Sequence, residues 1–457
     1  MSIVQELAAF VNRARYEDLS AAAREAVRLH MLDALGCAIG AQKGPPVLAI
    51  RDQVEEFGGS PLCSLIGGGK TAPDRAAFYN SALIRYLDFN DSYLAKGETC
   101  HPSDCLGGVL AAAEYANASG RQLMTAFAVA YQVWCRLSDE APVRHKGFDH
   151  TVQGAYGVAA GIAKALGLDQ EKIANAVAIS GTANNALRVT RTGALSNWKG
   201  LAAPQMVLGA AQAAFLAMRG ITGPQDVFEG NKGFFDSIAG PFQIDWSAED
   251  LERITRCSIK KYNAEMHSQS AIEGLLEMQA MHGFGAGQVD SLQVDIFDVA
   301  YHIIGGGEEG GKHLVRNKEE ADHSLPYILA VALLDGAIGP AQYEQRRIMM
   351  SDVQGLMQRV RVTHEPAFSR RFPLEMPCRL TVTLKDGQVF TLEKSDYQGF
   401  FTRPMTWQQV QDKFNQLSEP YAGRPARQAI IEAVEDLENR TAADLARALA
   451  AIGGSNV

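Results

Sequence analysis

The fold class follows from residues 204–218, which read Pro-Gln-Met-Val-Leu-Gly-Ala-Ala-Gln-Ala-Ala-Phe-Leu-Ala-Met. The segment is long enough for about four helical turns, and it is apolar nearly all round. A helix without a polar face is normally buried among other elements of the protein. We therefore expect a central buried helix here, in a protein that is mainly helical.

Helical patterns extend along the chain on both sides of this segment. Ser20 is placed to cap a helix whose apolar residues Val27, Met31 and Leu35 recur at helical spacing. Further helices, rich in small residues and with Gly near their ends, are expected at about 104–117, 122–138, 151–166, 170–186 and 200–219. Small side chains allow helices to approach closely, so we expect these segments to form one large bundle.

Strand patterns replace the helical ones after about residue 257. Apolar and polar residues alternate at 292–296 and at 360–362. The clearest signal is Leu380-Thr-Val-Thr-Leu384 followed by Val389-Phe-Thr-Leu392, with Asp386-Gly387 between them. An Asp-Gly pair favours a tight hairpin turn because both residues tolerate positive φ angles. We therefore expect a β-hairpin in this part of the chain.

Helical patterns return near the C-terminus, at about 406–417, 425–438 and 442–451. Thr441, with Asp444 three residues later, resembles a capping box at the start of the last of these helices. We predict a mainly α fold with a small α+β lid domain. The large all-helical domain is discontinuous and comprises residues 1–257 and 393–457, and the α/β lid domain comprises residues 258–392.

Composition excludes several classes of protein. The chain has 457 residues, 47% of them apolar and 21% charged, which is typical of a folded protein of two domains. Its net charge of −9 gives no general attraction for nucleic acid or for an anionic membrane. Neither a secretory signal nor a long uncharged apolar run is recognisable. We expect a soluble cytoplasmic protein without nucleic-acid or membrane partners.

The sequence offers no recognisable cofactor motif. The seven cysteines are odd in number and include no CxxC pair, so we expect reduced thiols and neither a zinc nor an iron–sulfur site. Gly67-Gly-Gly-Lys-Thr71 lacks the first glycine of a phosphate loop, which would fall at Ser64. Gly283-Phe-Gly-Ala-Gly287 lacks the last glycine of the dinucleotide fingerprint. We expect a protein that works without a metal or organic cofactor.

Candidate chemistry is densest in Tyr86-Leu-Asp-Phe-Asn-Asp-Ser-Tyr93 and the nearby His101-Pro-Ser-Asp104. Asp88 and Asp91 would share one face if their segment were helical, while Pro102 pushes His101 out of helical geometry. An Asp beside a His can fix its tautomer and raise its basicity, so Asp91 and His101 are a candidate acid–base pair. Helix capping and a surface histidine would explain the same spacing.

Three further segments carry polar groups that have two interpretations each. Asp149-His150 precedes a helix and is either an N-cap or a catalytic pair. Lys199, which follows Arg188 and opens an apolar helix, either reaches solvent or enters a pocket. The segment 259–269 contains two Lys, a Glu and a His at the point where helical patterns give way to strand patterns. It is either a solvated hinge or part of a site.

Together these segments resemble the 2-methylcitrate dehydratase (MmgE/PrpD) family along essentially the whole chain. The strings that carry the resemblance, in the family's order and spacing, are Tyr86-Leu-Asp-Phe-Asn-Asp, His101-Pro-Ser-Asp, Asn197-Trp-Lys-Gly, Asn263-Ala-Glu-Met-His-Ser-Gln and Ala321-Asp-His-Ser-Leu-Pro-Tyr. The resemblance implies a homodimer, a helical domain that takes back the C-terminus, and an active-site cleft between that domain and the lid. One difference is Asn263, where many relatives have Pro.

The resemblance also implies site residues and a reaction. The catalytic positions are Asp91, His101, His150, Lys199 and Lys260, and the substrate-binding candidates are Arg188, Tyr93, Glu265 and His267. The implied substrate is a small tricarboxylate that loses water. The family also contains cis-aconitate decarboxylases, which carry a His at the position of Glu265, and an epimerase-like branch. These activities and a non-catalytic carboxylate-binding role remain alternatives.

The implied reaction explains why these residue types are needed. A proton next to a carboxylate is weakly acidic, so cationic side chains must neutralise that carboxylate in the transition state. Lys199 and Lys260 suit this task, with Arg188 as a possible bidentate clamp. His101 with Asp91 and, second, His150 are the candidates for proton transfer. The hydroxyl would leave by protonation rather than through an iron–sulfur cluster.

Overall fold

The computed structural model describes residues 1–454 and confirms the mainly α fold with a small α+β part. Helices make up 58% of the structure, and the strands are few and short. The chain divides into two compact units. Unit 1 consists of Met1–Thr190, Gly200–Cys257 and the chain from Met405 onward, and unit 2 consists of Arg191–Lys199 and Ser258–Pro404.

Unit 1 begins with a long series of helices. They are α1 (Ile3–Arg13), α2 (Ala21–Gly40), α3 (Pro45–Phe57), α4 (Pro73–Tyr86), α5 (Leu106–Tyr115), α6 (Gly120–Glu140), α7 (Thr151–Ala165), α8 (Gln170–Ala183) and α9 (Trp198–Met218). The first two residues of α9, Trp198 and Lys199, belong to unit 2. Two short antiparallel strand pairs interrupt them: β1 (Cys63–Ser64) with β2 (Lys70–Thr71), and β3 (Tyr93–Leu94) with β4 (Thr99–Cys100). The second pair leads directly into the segment that carries His101.

Caps and small residues explain the bundle as the sequence predicts. The Ser20 hydroxyl accepts the Ala23 N–H at 3.0 Å and starts α2, whose apolar stripe is buried. Glycines on α7 allow close contact with α6: a Cβ atom at Gly157 would lie 2.8 Å from the main chain of Trp134, and one at Gly161 2.7 Å from Ala130. This close packing fixes the start of α7, where His150 is located.

One face of helix α9 is exposed, although the sequence predicts a helix that is buried all round. It spans the expected residues, but Gln205, Gln212 and Leu216 form an exposed stripe, with Leu216 45% exposed. The two glutamines lie seven residues apart and therefore on the same face, which is the polar face that the prediction overlooked. The helix is long and apolar enough to cross a membrane, but more than half of its most apolar window is buried, as in a core helix.

Unit 2 combines short helices with one four-stranded sheet. Its helices are α10 (Gln269–His282), α11 (Asp298–Ala300), α12 (Lys318–Ala321), α13 (Leu325–Asp335), α14 (Gln345–Ile348), α15 (Ser351–Met357) and α16 (Pro366–Ser369). The strands are β5 (Val289–Ile296), β6 (Val360–His364), β7 (Cys378–Leu384) and β8 (Val389–Lys394), in the order β6-β5-β7-β8. Strands β5 and β6 are parallel, and the other pairs are antiparallel.

The β7–β8 hairpin is present as predicted, but its turn is different. Gly387 has a φ of +90°, whereas Asp386 is not among the residues with positive φ. The loop has three residues, because the Leu384 N–H donates to the Gln388 carbonyl at 2.8 Å. Such loops need one residue with positive φ rather than two. The Asp386 carboxylate instead accepts the Gln388 N–H at 3.0 Å.

The chain then returns to unit 1 through α17 (Trp407–Ser418), α18 (Arg424–Glu435) and α19 (Ala442–Ala450). Helix α17 packs closely on α2, where a Cβ atom at Gly36 would lie 3.1 Å from the Cα atom of Phe414. The predicted capping box is confirmed, since Thr441 and Asp444 each accept the main-chain N–H of the other. The lid role of residues 258–392 stays a prediction.

Candidate functional site

Two clusters of buried polar side chains, one in each unit, include the predicted catalytic residues. The histidine cluster of unit 1 consists of His30, Asp91, His101, Asp149 and His150. The lysine cluster of unit 2 consists of Lys199, Lys260, Glu265, His267 and Asp322. The two clusters contain all five predicted catalytic residues.

The loop after α4 sets the backbone of the histidine cluster. Helix α4 ends at Tyr86, and Asp88 has a φ of +54°, so Asp88 and Asp91 do not share a helical face. The Asp88 carboxylate instead contacts the Arg85 guanidinium at 2.7 Å. His101 follows β4 with a φ of −123° and a ψ of 80°, the non-helical geometry expected before Pro102.

Asp91 holds His101 through its main chain and not through its carboxylate. The His101 Nδ1 atom lies 2.9 Å from the Asp91 carbonyl oxygen and 3.0 Å from the Ser92 hydroxyl. Because a carbonyl oxygen can only accept, Nδ1 carries a proton, and the basic lone pair of the neutral ring is on Nε2. The structure therefore fixes the tautomer of His101 in a way that the sequence did not predict.

The Asp91 carboxylate is engaged by residues from other helices. It lies 2.8 Å from Nδ1 of His30 on α2, and it accepts the Tyr131 hydroxyl at 2.7 Å and the Ser103 N–H at 3.2 Å. Burial alone would raise the pKa of Asp91, but these hydrogen bonds, with His30 foremost, lower it. The ionised carboxylate thus anchors both ends of the loop that carries His101.

The structure brings the two predicted catalytic histidines together. The ring centres of His101 and His150 are 5.3 Å apart, and the rings meet edge to face at 78°. His150 precedes α7, stacks on Trp134 at 6.2 Å, and has its Nδ1 atom 3.4 Å from the Asp149 carboxylate. Both imidazoles are buried, with 8% and 2% of their residue surface exposed. This arrangement suits proton transfer by two neighbouring groups.

The two substrate-binding candidates of unit 1, Arg188 and Tyr93, differ in their surroundings. The Arg188 guanidinium lies 3.9 Å from the Asp149 carboxylate and so adjoins the histidine cluster. The Tyr93 hydroxyl donates to Asp139 at 2.9 Å and accepts from Arg253 at 3.1 Å. Burial raises the pKa of Tyr93, and Asp139 and Arg253 hold its hydroxyl in place.

Glu98 is a buried carboxyl group that the sequence analysis missed. It accepts the main-chain N–H groups of Val143 and Arg144 at 3.2 and 3.1 Å. Burial raises its pKa, and Asp149 raises it further, while Arg188 acts in the opposite direction. No sequence signal pointed to Glu98, because it lies between the two strings that carry the resemblance.

In the lysine cluster, Asp322 is surrounded by cations. The Lys199 ammonium lies 2.7 Å from one carboxylate oxygen, and the Lys318 ammonium lies 2.9 Å from the other. The His323 Nδ1 atom is 2.7 Å from the first oxygen and 2.8 Å from the Lys199 ammonium. Burial alone would raise the pKa of Asp322, but Lys199 and Lys318 lower it strongly. Lys199 therefore enters a buried polar cluster rather than reaching solvent.

Glu265 and His267 form a second buried pair in unit 2. The Glu265 carboxylate accepts the His267 N–H at 2.7 Å, and its other oxygen lies 2.7 Å from His267 Nδ1. Burial alone would raise the pKa of Glu265, but His267 and further positive neighbours lower it to about 2. Lys260, which is fully buried, is one of these neighbours. Asn263 donates its N–H to Ile338 at 3.2 Å, a bond that Pro could not make.

Unit 2 also contains site candidates that were not assigned from the sequence. Asp322 and His323 belong to a string that carries the resemblance, so a signal for them existed. Burial lowers the pKa of Lys312, and the charge of Lys199 lowers it further, which locates this ammonium near the cluster. The main chain of Lys312 is held by the Ser324 hydroxyl at 2.6 Å. Unit 2 thus concentrates positive charge around two ionised carboxylates.

The cysteines take no part in either arrangement of charge. All seven are buried free thiols. Burial raises the pKa of Cys257 and of Cys378 to about 12, so these thiols are neutral at physiological pH.

Comparison with known proteins identifies the family. Residues 5–247 match the MmgE/PrpD N-terminal domain, and residues 262–439 match the MmgE/PrpD C-terminal domain. The chain is 30% identical over 404 residues to a 2-methylcitrate dehydratase of Cupriavidus necator, covering 82% of this chain and 81% of that protein. It is 30% identical over 379 residues to the 2-methylcitrate dehydratase of Escherichia coli K12, covering 78% and 76%.

A relative with a different activity is similar to nearly the same extent. A cis-aconitate decarboxylase of Mus musculus is 27% identical over 396 residues, covering 80% of this chain and 76% of that protein. The resemblance first noted in the polar strings is thus confirmed by both domain matches and by relatives along most of the chain. The chain belongs to the MmgE/PrpD family of enzymes.

Proposed function

We propose that this enzyme is a hydro-lyase that removes water from 2-methylcitrate or a related citrate-type tricarboxylate. The product would be of the cis-aconitate type, and no iron–sulfur cluster would take part. The observation that carries the proposal is the pair of buried rings His101 and His150, 5.3 Å apart, with the His101 tautomer fixed. The similarity to 2-methylcitrate dehydratases supports the choice of substrate class.

The proposed reaction begins with removal of a proton next to a carboxylate. His101 accepts this proton at Nε2, because its Nδ1 atom already donates to the Asp91 carbonyl. Lys199 and Lys260 neutralise the substrate carboxylate as charge develops on it, and Arg188 is a further clamp. The electron pair of the broken C–H bond forms the double bond, and the C–O bond to the hydroxyl breaks.

The hydroxyl must receive a proton so that it leaves as water. His150 beside His101 is the first candidate for this role, and Glu98 is the second because burial raises its pKa. Asp91 takes part indirectly, since its ionised carboxylate orders the loop that holds His101. Glu265 and His267 orient the remaining polar groups of the substrate.

The alternative function is decarboxylation of a cis-aconitate-type acid. The similarity to a cis-aconitate decarboxylase supports this alternative. The buried pair of Glu265 and His267 separates the two proposals. According to the family resemblance, the cis-aconitate decarboxylases carry a His in place of Glu265. A second imidazole at this position would remove the negative charge that His267 contacts here. We therefore favour the dehydratase, and an epimerase of the same fold is the third candidate.

A panel of tricarboxylates tests the proposal. 2-Methylcitrate, citrate and cis-aconitate are incubated with the full chain while the ultraviolet absorbance of a conjugated product and the release of carbon dioxide are followed. Absorbance that rises with 2-methylcitrate or citrate, without carbon dioxide, is expected, and exhaustive chelation should leave the rate unchanged. Carbon dioxide from cis-aconitate without any dehydration would establish the decarboxylase instead.

We further propose a homodimer in the cytoplasm, acting in the methylcitrate cycle of propionate catabolism. The support is the similarity to 2-methylcitrate dehydratases together with the composition of the chain. Sedimentation equilibrium should give twice the 49.4 kDa mass of the chain. A monomer at micromolar concentration would contradict the dimer but not the proposed reaction.

A further inference from the structure

A cavity in unit 1 lies apart from the histidine cluster. It has a volume of about 380 Å³ and forms where the chain after α1 meets the first turns of α6 and the end of α7. Its lining includes Arg15, Tyr16, Glu17, Arg121, Thr125 and Lys164, and no member of the histidine cluster contributes to it. This volume falls within the usual range for small-molecule sites.

The lining of this cavity is cationic in an acidic protein. Arg15, Arg121 and Lys164 supply three positive charges, and Glu17 is the one carboxylate among the lining residues that the structure describes. None of the three cations forms an ion pair within the described part of the chain. The whole chain has a net charge of −9, so its general field does not explain such a concentration. The cavity is therefore a local site of positive potential.

The cations are held in place by contacts that leave their charge unneutralised. The Arg121 guanidinium lies over the Tyr16 ring at 4.9 Å from its centre, and the Arg24 guanidinium lies at 4.3 Å from the same centre. The Lys164 ammonium donates to the Asn12 carbonyl at 3.0 Å. Groups that are already ordered lose little side-chain entropy when they bind a ligand.

The Lys164 ammonium is in an unfavourable electrostatic environment. Burial lowers its pKa, and the charge of Arg15 lowers it further, while Asp18 acts in the opposite direction. An anion in the cavity would offset both effects, because it would interact with the two cations at once. The arginines can bind phosphate or carboxylate groups through two parallel hydrogen bonds.

We propose that this cavity binds a small polyanion that carries phosphate or carboxylate groups, separately from the reaction at the histidine cluster. Such a ligand would join the ends of α1 and α7 to the start of α6 and so stabilise unit 1. A ligand that binds only the folded protein raises its melting temperature. The proposal does not depend on the substrate of the enzyme.

Calorimetric titration of the full chain tests the proposal with two probes at constant ionic strength, inorganic pyrophosphate and benzene-1,3,5-tricarboxylate, which has no hydroxyl group to lose. Arg121→Ala and Lys164→Ala each remove one cation of the cavity. Lys172→Ala is the matched control, because Lys172 is a partly exposed lysine of unit 1 outside the cavity lining. Each charge-assisted hydrogen bond contributes enough to change affinity about tenfold.

The expected result is that pyrophosphate, the aromatic tricarboxylate or both bind the wild type and the control equally. The same probe should bind both cavity variants at least about tenfold more weakly. It should raise the melting temperature of the wild type and the control but not that of the two cavity variants. The probe that shows this loss identifies phosphate or carboxylate as the preferred group. Absence of binding by both probes, or equal binding by all four proteins, would overturn the proposal. Melting curves without ligand show that the variants are folded.

Discussion

Two buried glutamates, Glu98 in unit 1 and Glu265 in unit 2, have pKa values that are shifted in opposite directions. In unit 1, Glu98 has a raised pKa, because its burial outweighs the influence of Arg188. In unit 2, the pKa of Glu265 falls to about 2, because positive neighbours outweigh a similar burial. The difference comes from the neighbouring charges. Asp149 raises the pKa of Glu98 while Arg188 and Arg144 lower it. His267, His323 and Lys260 all lower the pKa of Glu265.

This contrast indicates a division of labour. Groups whose charge changes readily, such as imidazoles and a carboxyl with a raised pKa, suit proton transfer. Fixed ammonium charges suit the neutralisation of a substrate carboxylate. We therefore propose proton transfer by the histidine cluster and carboxylate binding by the lysine cluster.

The largest effect is expected for His101→Ala. Loss of a general acid–base group typically lowers turnover on the order of a hundredfold to ten-thousandfold. The variant should fold, since the Asp91 carboxylate keeps its bonds to His30, Tyr131 and Ser103. Steady-state kinetics with the best tricarboxylate give kcat and KM, and circular dichroism reports the fold.

His145→Ala is the matched control for His101→Ala. His145 is an exposed histidine of the same unit, so its replacement should leave kcat unchanged. A His101→Ala variant that is folded and retains more than about a tenth of wild-type kcat would remove His101 from proton transfer.

Lys199→Met should raise KM and also lower kcat, with kcat/KM falling on the order of a hundredfold. The lysine is proposed to contact a carboxylate that is present in both the substrate and the transition state. The fold should tolerate the change, because Asp322 retains its contact with Lys318 at 2.9 Å. Lys172→Met provides the control, and an unchanged KM in Lys199→Met would contradict the binding role.

The pKa contrast predicts opposite effects of pH on stability. Glu265 has a lowered pKa in the folded state, so it stabilises the protein above its ordinary value of 4.5 and loses this effect as pH falls toward 2. Such a shift corresponds to about 3 kcal/mol. The pKa of Glu98 is raised, so the folded state binds its proton more tightly, and stability is lost as pH rises through the raised pKa.

Urea unfolding at a series of pH values from about 3 to about 8, on both sides of the ordinary glutamate pKa, measures both effects. Glu265→Gln should weaken the rise of unfolding free energy with pH, and Glu98→Gln should steepen it. Glu277→Gln, which changes an exposed carboxylate on α10, should follow the wild type. Changes of the same sign in the first two variants would show that the clusters do not differ in this respect.

The smallest effect is expected at His30, which acts through Asp91. His30→Ala should lower kcat on the order of tenfold through misplacement of the His101 loop, and KM should stay unchanged. His30→Gln, which can still donate to the Asp91 carboxylate, should recover most of the lost kcat. Equal loss in both variants would mean that His30 has only a packing role.

Local sequence patterns predicted much of the fold. The helix starts at Ser20 and Thr441 and the hairpin around Gly387 follow from residues that are close in sequence, where capping and turn chemistry act. The exposed stripe of α9 was visible as Gln205 and Gln212 but was outweighed by the apolar character of the whole segment.

The site was predictable only in part. The resemblance selected His101 and His150, and the structure brings them together. It did not predict that the Asp91 carboxylate turns to His30, or that Glu98 is buried beside the Arg144 main chain. These contacts join distant parts of the chain, and no periodicity or motif records them.

The most direct test of the division of labour is substrate binding without turnover. The dissociation constant of 2-methylcitrate is measured by calorimetry in His101→Ala, and again in His101→Ala combined with Lys199→Met. The account predicts that the single variant binds with an affinity near the wild-type KM and that the double variant binds at least about tenfold more weakly. Loss of binding in the single variant, or equal binding by the two proteins, would contradict it.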